Sequence, residues 1–478
     1  MSQNPKLKPS IIVIFGITGD LAKRKVLPAL YHLSKDNLLP EGTKIVGISR
    51  RDMTTDKMLA AVNLCINETD GVCDQDVIER LRSWLSMVKL DPLDDADYEH
   101  LSSYLLDIEK QANQPLDRLF YLSIPPQVYG PIIQRLGKHG LNANRSTNQQ
   151  TSQTRLLIEK PFGYDVTSAE QLISETERVF SEEQTYRIDH YLAKETAQNI
   201  LKFRRHNPIF SSQWDSKHIS KIHVIAKEKI GIENRVNFYE QVGALRDLVQ
   251  SHLMQLLALT AMDVPDELTS DEVHAKKHLF LSSLIAPSAQ KGIKTQVLRG
   301  QYDTYQEEVA NPNSQVETFV SLVLKSNSPR WKDCVFQLTT GKSLDEKATI
   351  IQVFFGQEDP NVLTFRIQPD EGIDVSLLIE QPGFAHNLRE VKMNFSYSTD
   401  FDTSHDAYER VLVDAIRGDK LLFATKSEVM TSWHLLQPIL DFWQQDNQDL
   451  ISYKSFSEGP KVDKLAETFL NQPDDQLN

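Results

Sequence analysis

The first third of the chain alternates short apolar runs with helical patterns. Residues 11–15 (Ile-Ile-Val-Ile-Phe) read as a buried strand, 21–34 as a helix and 44–48 as a second strand. Residues 87–90, 118–123 and 155–158 read as further strands, the last two ending at turns that contain Pro125-Pro126 and Pro161. Strands that alternate with helices predict parallel α/β structure. The polar stretch 142–153 reads as an exposed loop. After about residue 200 the texture changes. Strand patterns at 219–226, 315–324, 348–355, 362–367 and 391–395 follow one another with few helical crossovers, which predicts a mostly antiparallel sheet. Helical patterns at 243–262, 408–416 and 426–445 flank it. The expected architecture is an α/β Rossmann-type N-terminal domain over 1–190 and an α+β C-terminal domain with a large, mostly antiparallel sheet over 191–478. No internal repeat is evident.

At 478 residues the chain is long enough for such a pair of domains, and 40% hydrophobic with 25% charged residues is ordinary globular composition. A net charge of −14 argues against non-specific nucleic-acid binding and against an anionic membrane surface. If this protein binds an anion, it must gather its Lys and Arg locally. Cys65, Cys73 and Cys334 have neither metal-site spacing nor the number for a disulfide framework, which fits a reducing cytoplasm and no metal centre. No run approaches the ~18–20 apolar residues of a membrane span, and 11–17 is short for a signal peptide. The expectation is a soluble protein with no membrane partner.

Candidate chemistry begins at Gly16-Ile17-Thr18-Gly19-Asp20-Leu21, between the first strand and its helix. A turn there lets backbone N–H groups approach a pyrophosphate at a helix N-terminus. The motif is only Gly-x-x-Gly, so a tight turn with Asp20 as N-cap accounts for it equally well. Arg50 ends the second strand, where an Arg suits a ribose 2′-phosphate, favouring NADP over NAD. Asp91 closes the strand at 87–90 and would lie along the same crevice. Lys160, at the carboxyl end of the strand at 155–158, would point into it. In the helix at 243–262, Leu245, Leu248, His252 and Leu259 share a face, which turns His252 inward. A general base works best with a near-neutral pKa and a carboxylate to hold it. Asp247, five residues away, would sit about 140° round an α-helix from His252, a poor partner. The run Arg187-Ile188-Asp189-His190-Tyr191-Leu192-Ala193-Lys194-Glu195, read as helix, would put His190, Tyr191 and Lys194 on one face as a receptor for a phosphate dianion. Lys342 and Lys347 are a second pair of cations.

The run 187–195 resembles, with Ala193 in place of a Gly, the substrate signature of the glucose-6-phosphate dehydrogenase family. Glu159-Lys160-Pro161-Phe162-Gly163, Leu21-Ala22-Lys23-Arg24-Lys25 and Gly341-Lys342 are similar to that family as well. Arg118-Leu119-Phe120-Tyr121-Leu122 with Pro125-Pro126, Tyr408-Glu409-Arg410 and Gly459-Pro460 follow in family order, so the resemblance spans nearly the whole chain. It implies oxidation of D-glucose 6-phosphate at C1 to 6-phospho-D-glucono-1,5-lactone with NADP as hydride acceptor, the entry step of the pentose phosphate pathway. It further implies His252 as base and Asp189 as its orienting carboxylate. Lys160 would lie between the nicotinamide and a sugar hydroxyl, with Glu228 and Asp247 on other hydroxyls. His190, Tyr191, Lys194 and Lys342, with Lys347, would surround the phosphate. The second domain would carry a homodimer or homotetramer interface. Val236-Asn237, Ser251 and Arg204-Arg205-His206-Asn207 depart from the family pattern near the expected pocket. A relative acting on another hexose phosphate and a non-catalytic regulatory relative stay open at this point.

Overall fold

The computed structural model describes residues 7–462 and 465, apart from 70, 147–150, 234, 289, 358–359, 385, 402–404, 446–448 and 463–464. The chain divides into two compact units. One comprises the described residues up to Gly163, with Thr167–Ala193 and His405–Lys426; the other comprises Tyr164–Val166 and the described residues of 194–404 and 427–478.

The first unit is built on a seven-stranded sheet in the order Phe423–Ala424, Thr185–Ile188, Thr154–Ile158, Asp117–Leu122, Ser10–Phe15, Lys44–Ser49, Leu85–Lys89. Every pairing is parallel except that of Phe423–Ala424 with Thr185–Ile188. Ser10–Phe15 is buried along its whole length, as a central strand covered on both faces must be. From it the chain winds first toward Leu85–Lys89 and then jumps to the other side at Asp117–Leu122. Such a reversal opens a crevice at the strands' carboxyl ends. The helix Ala407–Arg417 buries Tyr408, Val411, Leu412 and Ala415 in this unit's core. Residues 405–426 therefore belong here and not, as the pattern of the second half had placed them, with the later domain. The expected loop at 142–153 is in part a ribbon, Arg145–Ser146 pairing antiparallel with Thr151–Ser152 and Ser152 buried; 147–150 lie outside the described residues.

The second unit holds a sheet in the order Leu388–Ser396, Gly372–Glu380, Asn361–Gln368, Ala348–Phe355, Ile219–Lys227, Val335–Gly341, Phe319–Ser326, Val297–Tyr302, Leu450–Tyr453. Two pairings are parallel, Val335–Gly341 with Ile219–Lys227 and Val297–Tyr302 with Leu450–Tyr453; the others are antiparallel. Ala348–Phe355 and Asn361–Gln368 bury alternate residues, the signature of a sheet packed on one face. Phe203 of the helix Glu195–His206 meets Phe365 on that face edge-on at 5.4 Å. The strand expected at 315–324 starts later, at Phe319, because Thr318 N bonds Gly300 O and Glu317 turns its backbone to Ala244. Among the described residues no helix is long and apolar enough to cross a membrane.

Two helices of this unit, Ser270–Ser282 and Lys426–Gln445, are joined by a buried ion network. Lys277 Nζ donates to Glu428 Oε2 at 2.9 Å and His274 Nδ1 lies 2.8 Å from Glu428 Oε1, with Lys277 and Glu428 wholly inaccessible. Burial opposes the Glu428 charge, but Lys277 and then His274 overcome it and hold the carboxyl at about 2, below its ordinary 4.5. Removing one partner of a buried pair leaves an uncompensated charge. Lys277→Met is expected to cost about 3–5 kcal/mol, read as a lowered urea midpoint at unchanged slope. In the parent protein this contribution is fully present above pH 4.5 and disappears as pH falls through 2, whereas Glu428→Gln should flatten that acid limb.

Candidate functional site

The turn after Ser10–Phe15 places a helix N-terminus at the crevice of the parallel sheet. Gly16 has φ +77°, and a Cβ there would lie 2.3 Å from Ser123 O, so only glycine lets this turn pack against the end of Asp117–Leu122. Gly19 N bonds Gly16 O at 2.8 Å, which closes the turn; Thr18 and Leu21 are half-buried along it. Asp20 is exposed and pairs with Arg24 at 2.9 Å. The backbone geometry fits a dinucleotide pyrophosphate. Arg50 stands exposed immediately after Lys44–Ser49. Leu90 N bonds Ser49 O, which brings Asp91 beside that strand end. The Asp91 carboxylate is already engaged, accepting from Leu93 N at 2.9 Å, so its first role is to hold its own turn.

The far side of the same sheet gathers several family-like motifs around one buried carboxyl group. Tyr121 donates to Glu159 Oε1 at 2.5 Å, Tyr129 donates to Glu159 O, and Tyr408 also bonds the Glu159 side chain. Burial pushes the Glu159 carboxyl up to about 7, against the Tyr121 hydrogen bond and the Lys160 charge; the Asp189 charge adds to the rise. His190 stacks over Tyr408 with ring centroids 6.1 Å apart and touches Tyr191 at 5.0 Å. Lys160, Asp189 and His190 thus border a preformed, hydrogen-bonded floor.

The run 187–195 is not a helix. Arg187 and Ile188 end the strand Thr185–Ile188, residues 190–193 form a turn, and the helix Glu195–His206 follows. Asp189 causes this: its Oδ1 accepts from Tyr191 N at 3.1 Å and its carbonyl from Leu192 N at 3.0 Å, a local closure that competes with helix. The i, i+4 argument for a shared His190–Lys194 face therefore fails. Lys194 is instead the extended residue capping Glu195–His206, and it pairs with Glu371 at 3.6 Å.

In the second unit three expected residues come together. Lys342, 1% exposed, pairs with Glu228 Oε2 and lies 3.5 Å from Asp247 Oδ2, with its ammonium over the Tyr239 ring. Lys347 lies outside the cluster, exposed before Ala348–Phe355. The helical stretch carrying Asp247 and His252 is buried almost all round, and its Leu245–Leu253 portion is π-helical. Hydrogen bonds there run i→i+5, which returns residues five apart to the same side. The 140° separation expected of an α-helix consequently does not apply to Asp247 and His252. Gly243 starts this stretch at φ +64°, where a Cβ would strike Glu317 Oε1 at 2.4 Å. Buried Glu317 accepts from Leu245 N at 3.0 Å, and burial raises its carboxyl above the usual range.

Residues 13–199 match the model of the glucose-6-phosphate dehydrogenase NAD binding domain, and 201–472 match that of the C-terminal domain. The chain belongs to the glucose-6-phosphate dehydrogenase family. A Chlamydia pneumoniae glucose-6-phosphate 1-dehydrogenase is 38% identical, with 96% of this chain and 94% of the relative covered. The enzyme of that name from Bacillus subtilis is 35% identical, with 96% of each covered. A solved glucose-6-phosphate dehydrogenase in complex with its substrate glucose-6-phosphate superposes with a TM-score of 0.88 at 28% identity, covering 97% of this chain and 98% of that one. This member of the family is accordingly an oxidoreductase with a nicotinamide-dinucleotide domain.

Sequence reading missed the Glu159–Tyr121–Tyr408 floor and the Glu317 clamp. The signals were present: Tyr121 and Tyr408 lie in motifs already noted as family-like, and Gly243 interrupts an otherwise helical pattern. The departures from the family pattern have separate fates. Ser251 is buried in the π-helical segment, Val236-Asn237 begin the helix Val236–Ala244, and Arg204 is buried as a cap on another helix.

Proposed function

We propose that this chain oxidises glucose 6-phosphate at C1 with NADP as its working cofactor, His252 acting as the base. The observation that carries the assignment of roles is the buried Lys342–Glu228–Asp247 cluster, built against the segment that holds His252. A bound nicotinamide dinucleotide supplies the hydride acceptor. His252 takes the C1 hydroxyl proton as the C–H bond breaks, and Asp189 fixes its tautomer and stabilises the imidazolium. Glu228 and Asp247 accept hydrogen bonds from the sugar's hydroxyls. Lys342, shared between them, is assigned to that hydroxyl end and not to the phosphate. His190, Tyr191 and Lys194 remain the phosphate ligands, where binding energy is remote from the reacting carbon. Lys160 is assigned between nicotinamide and sugar, Gly16, Thr18, Gly19, Asp20 and Leu21 to the pyrophosphate, and Arg50 to the 2′-phosphate. Lys347 keeps only a peripheral role and Asp91 that of shaping the adenosine side. The setting proposed is the cytoplasm; Cys65, Cys73 and Cys334 form no disulfide.

The outer strands Gly372–Glu380 and Leu388–Ser396 expose Leu378, Ile379, Leu388 and Met393, and Leu388–Ser396 ends the sheet. An unpaired apolar edge of this kind is covered in a soluble protein or aggregates. We assign it to a second copy of the chain in a homodimer, from which a tetramer would be built.

His252→Asn should lower kcat roughly 10²–10⁴-fold with KM for glucose 6-phosphate within about twofold, followed by the absorbance of reduced nicotinamide. A change confined to KM would overturn the assignment of the base. Arg50→Ala should raise KM for NADP by an order of magnitude or more and leave KM for NAD nearly unchanged; equal effects on both would exclude a 2′-phosphate contact. Leu378→Glu with Met393→Glu should shift the molecular mass in light scattering to that of the monomer, and an unshifted mass would remove this face from the interface.

A further inference from the structure

A second gathering of cations lies in the sheet-and-helix unit, at the carboxyl end of the helix Met254–Ala261. Counting from His252 to Met262, it is about 15 Å along the helical stretch from the proposed base. A cavity of about 450 Å³ there is lined by Arg204, Arg205, Lys276 and Arg330, with Asp263 and Asp266. Four cations against two carboxylates is a local excess of positive charge in a chain whose net charge is −14. One of those carboxylates is already engaged: Asp263 Oδ1 accepts from Arg330 at 2.5 Å.

Arg204 is the unusual member. Its side chain is 1% exposed and stacks on Trp214 at 4.9 Å. Two of its nitrogens donate to Leu259 O and Met262 O, at 3.1 and 2.7 Å, while its Nε has no hydrogen-bond partner among the described residues. Capping the helix end with a guanidinium accounts for the two carbonyl bonds. It does not account for Arg205 and Lys276 at the rim; Arg330, near enough for the two like charges to repel, is held there by Trp214 O at 2.8 Å and by Asp263. A second cavity of about 260 Å³ shares Asp263, Lys276 and Arg330 with the first and adds Met262, Leu279, Phe280 and Trp331. The pair offers a cationic end for a phosphoryl group and an apolar end for an organic body.

We infer that these joined cavities form a binding site for a small phosphate monoester with an apolar or aromatic body, separate from the hexose-phosphate site. Arg205 and Lys276 close on the phosphoryl oxygens from the rim, and Arg204 and Arg330 supply the fixed charge beneath.

Phenyl phosphate combines both features and serves as the probe. Calorimetric titration of the full-length protein is run with saturating glucose 6-phosphate and no dinucleotide, so the hexose-phosphate site is filled and no turnover occurs. One equivalent of phenyl phosphate per chain is expected to bind. The rim double variant Arg205→Gln/Lys276→Gln should bind it at least about tenfold more weakly, with kcat and KM for glucose 6-phosphate as in the parent. Both rim side chains reach solvent, so the variant should fold. Binding that vanishes once glucose 6-phosphate is present would overturn the proposal, as would undiminished affinity in the double variant.

Discussion

A buried ammonium sets the terms for the sheet-and-helix unit. Lys342 has almost no contact with solvent, and burying a charge there is costly unless it is paired. Glu228 and Asp247 supply the pairing, and in doing so they fix each other. Glu228 is held by its backbone between Gly341 and Leu344, so strand ends supply one carboxylate and the helical segment the other. Because three charged groups share one site, each of them is strongly constrained in position before any ligand arrives. A carboxylate pair so arranged presents acceptors at fixed spacing, which is what recognition of neighbouring hydroxyls on a rigid ring demands.

The first unit obtains a comparable preorganisation by other means. Its carboxyl group, Glu159, is buried among tyrosine hydroxyls and not beside a lysine of matching burial. With the Glu159 carboxyl raised to about 7, the floor sits close to the boundary between neutral and charged at physiological pH. Three separately noted segments, containing Tyr121, Glu159 and Tyr408, prove to be parts of one hydrogen-bonded assembly. Tyr408 can join because the chain returns from the second half to add Phe423–Ala424 to the parallel sheet.

Fold class was legible because it rests on period. Fully apolar runs such as 11–15 and alternating ones such as 348–355 report directly whether a strand is covered on two faces or one. The return of 405–426 to the first sheet was not legible, since a helix–strand pair looks the same whichever core it joins. At the site, residue types were legible and local geometry was not. Asp189 and Lys194 were identified from a run that resembles a known signature, yet the helix assumed for that run is replaced by a turn that Asp189 itself enforces. Lys342 and Lys347 were read as one pair of cations; burial separates them and sets Lys342 against the carboxylates. Spacing in a sequence presumes an ordinary helix, and Leu245–Leu253 is not one.

That wider coil has a bearing on how this chain tolerates change. A π turn accommodates a residue more than an α turn of the same height, so the segment behaves like an insertion that never left the helix. Deleting any one residue between Leu245 and Leu253 would let the backbone relax to the commoner form. The helix from Met254 onward would keep its register, but residues five apart within the segment, Asp247 and His252 among them, would no longer return to one side. The extra residue therefore serves the placing of those two side chains and not the packing of the helix that follows.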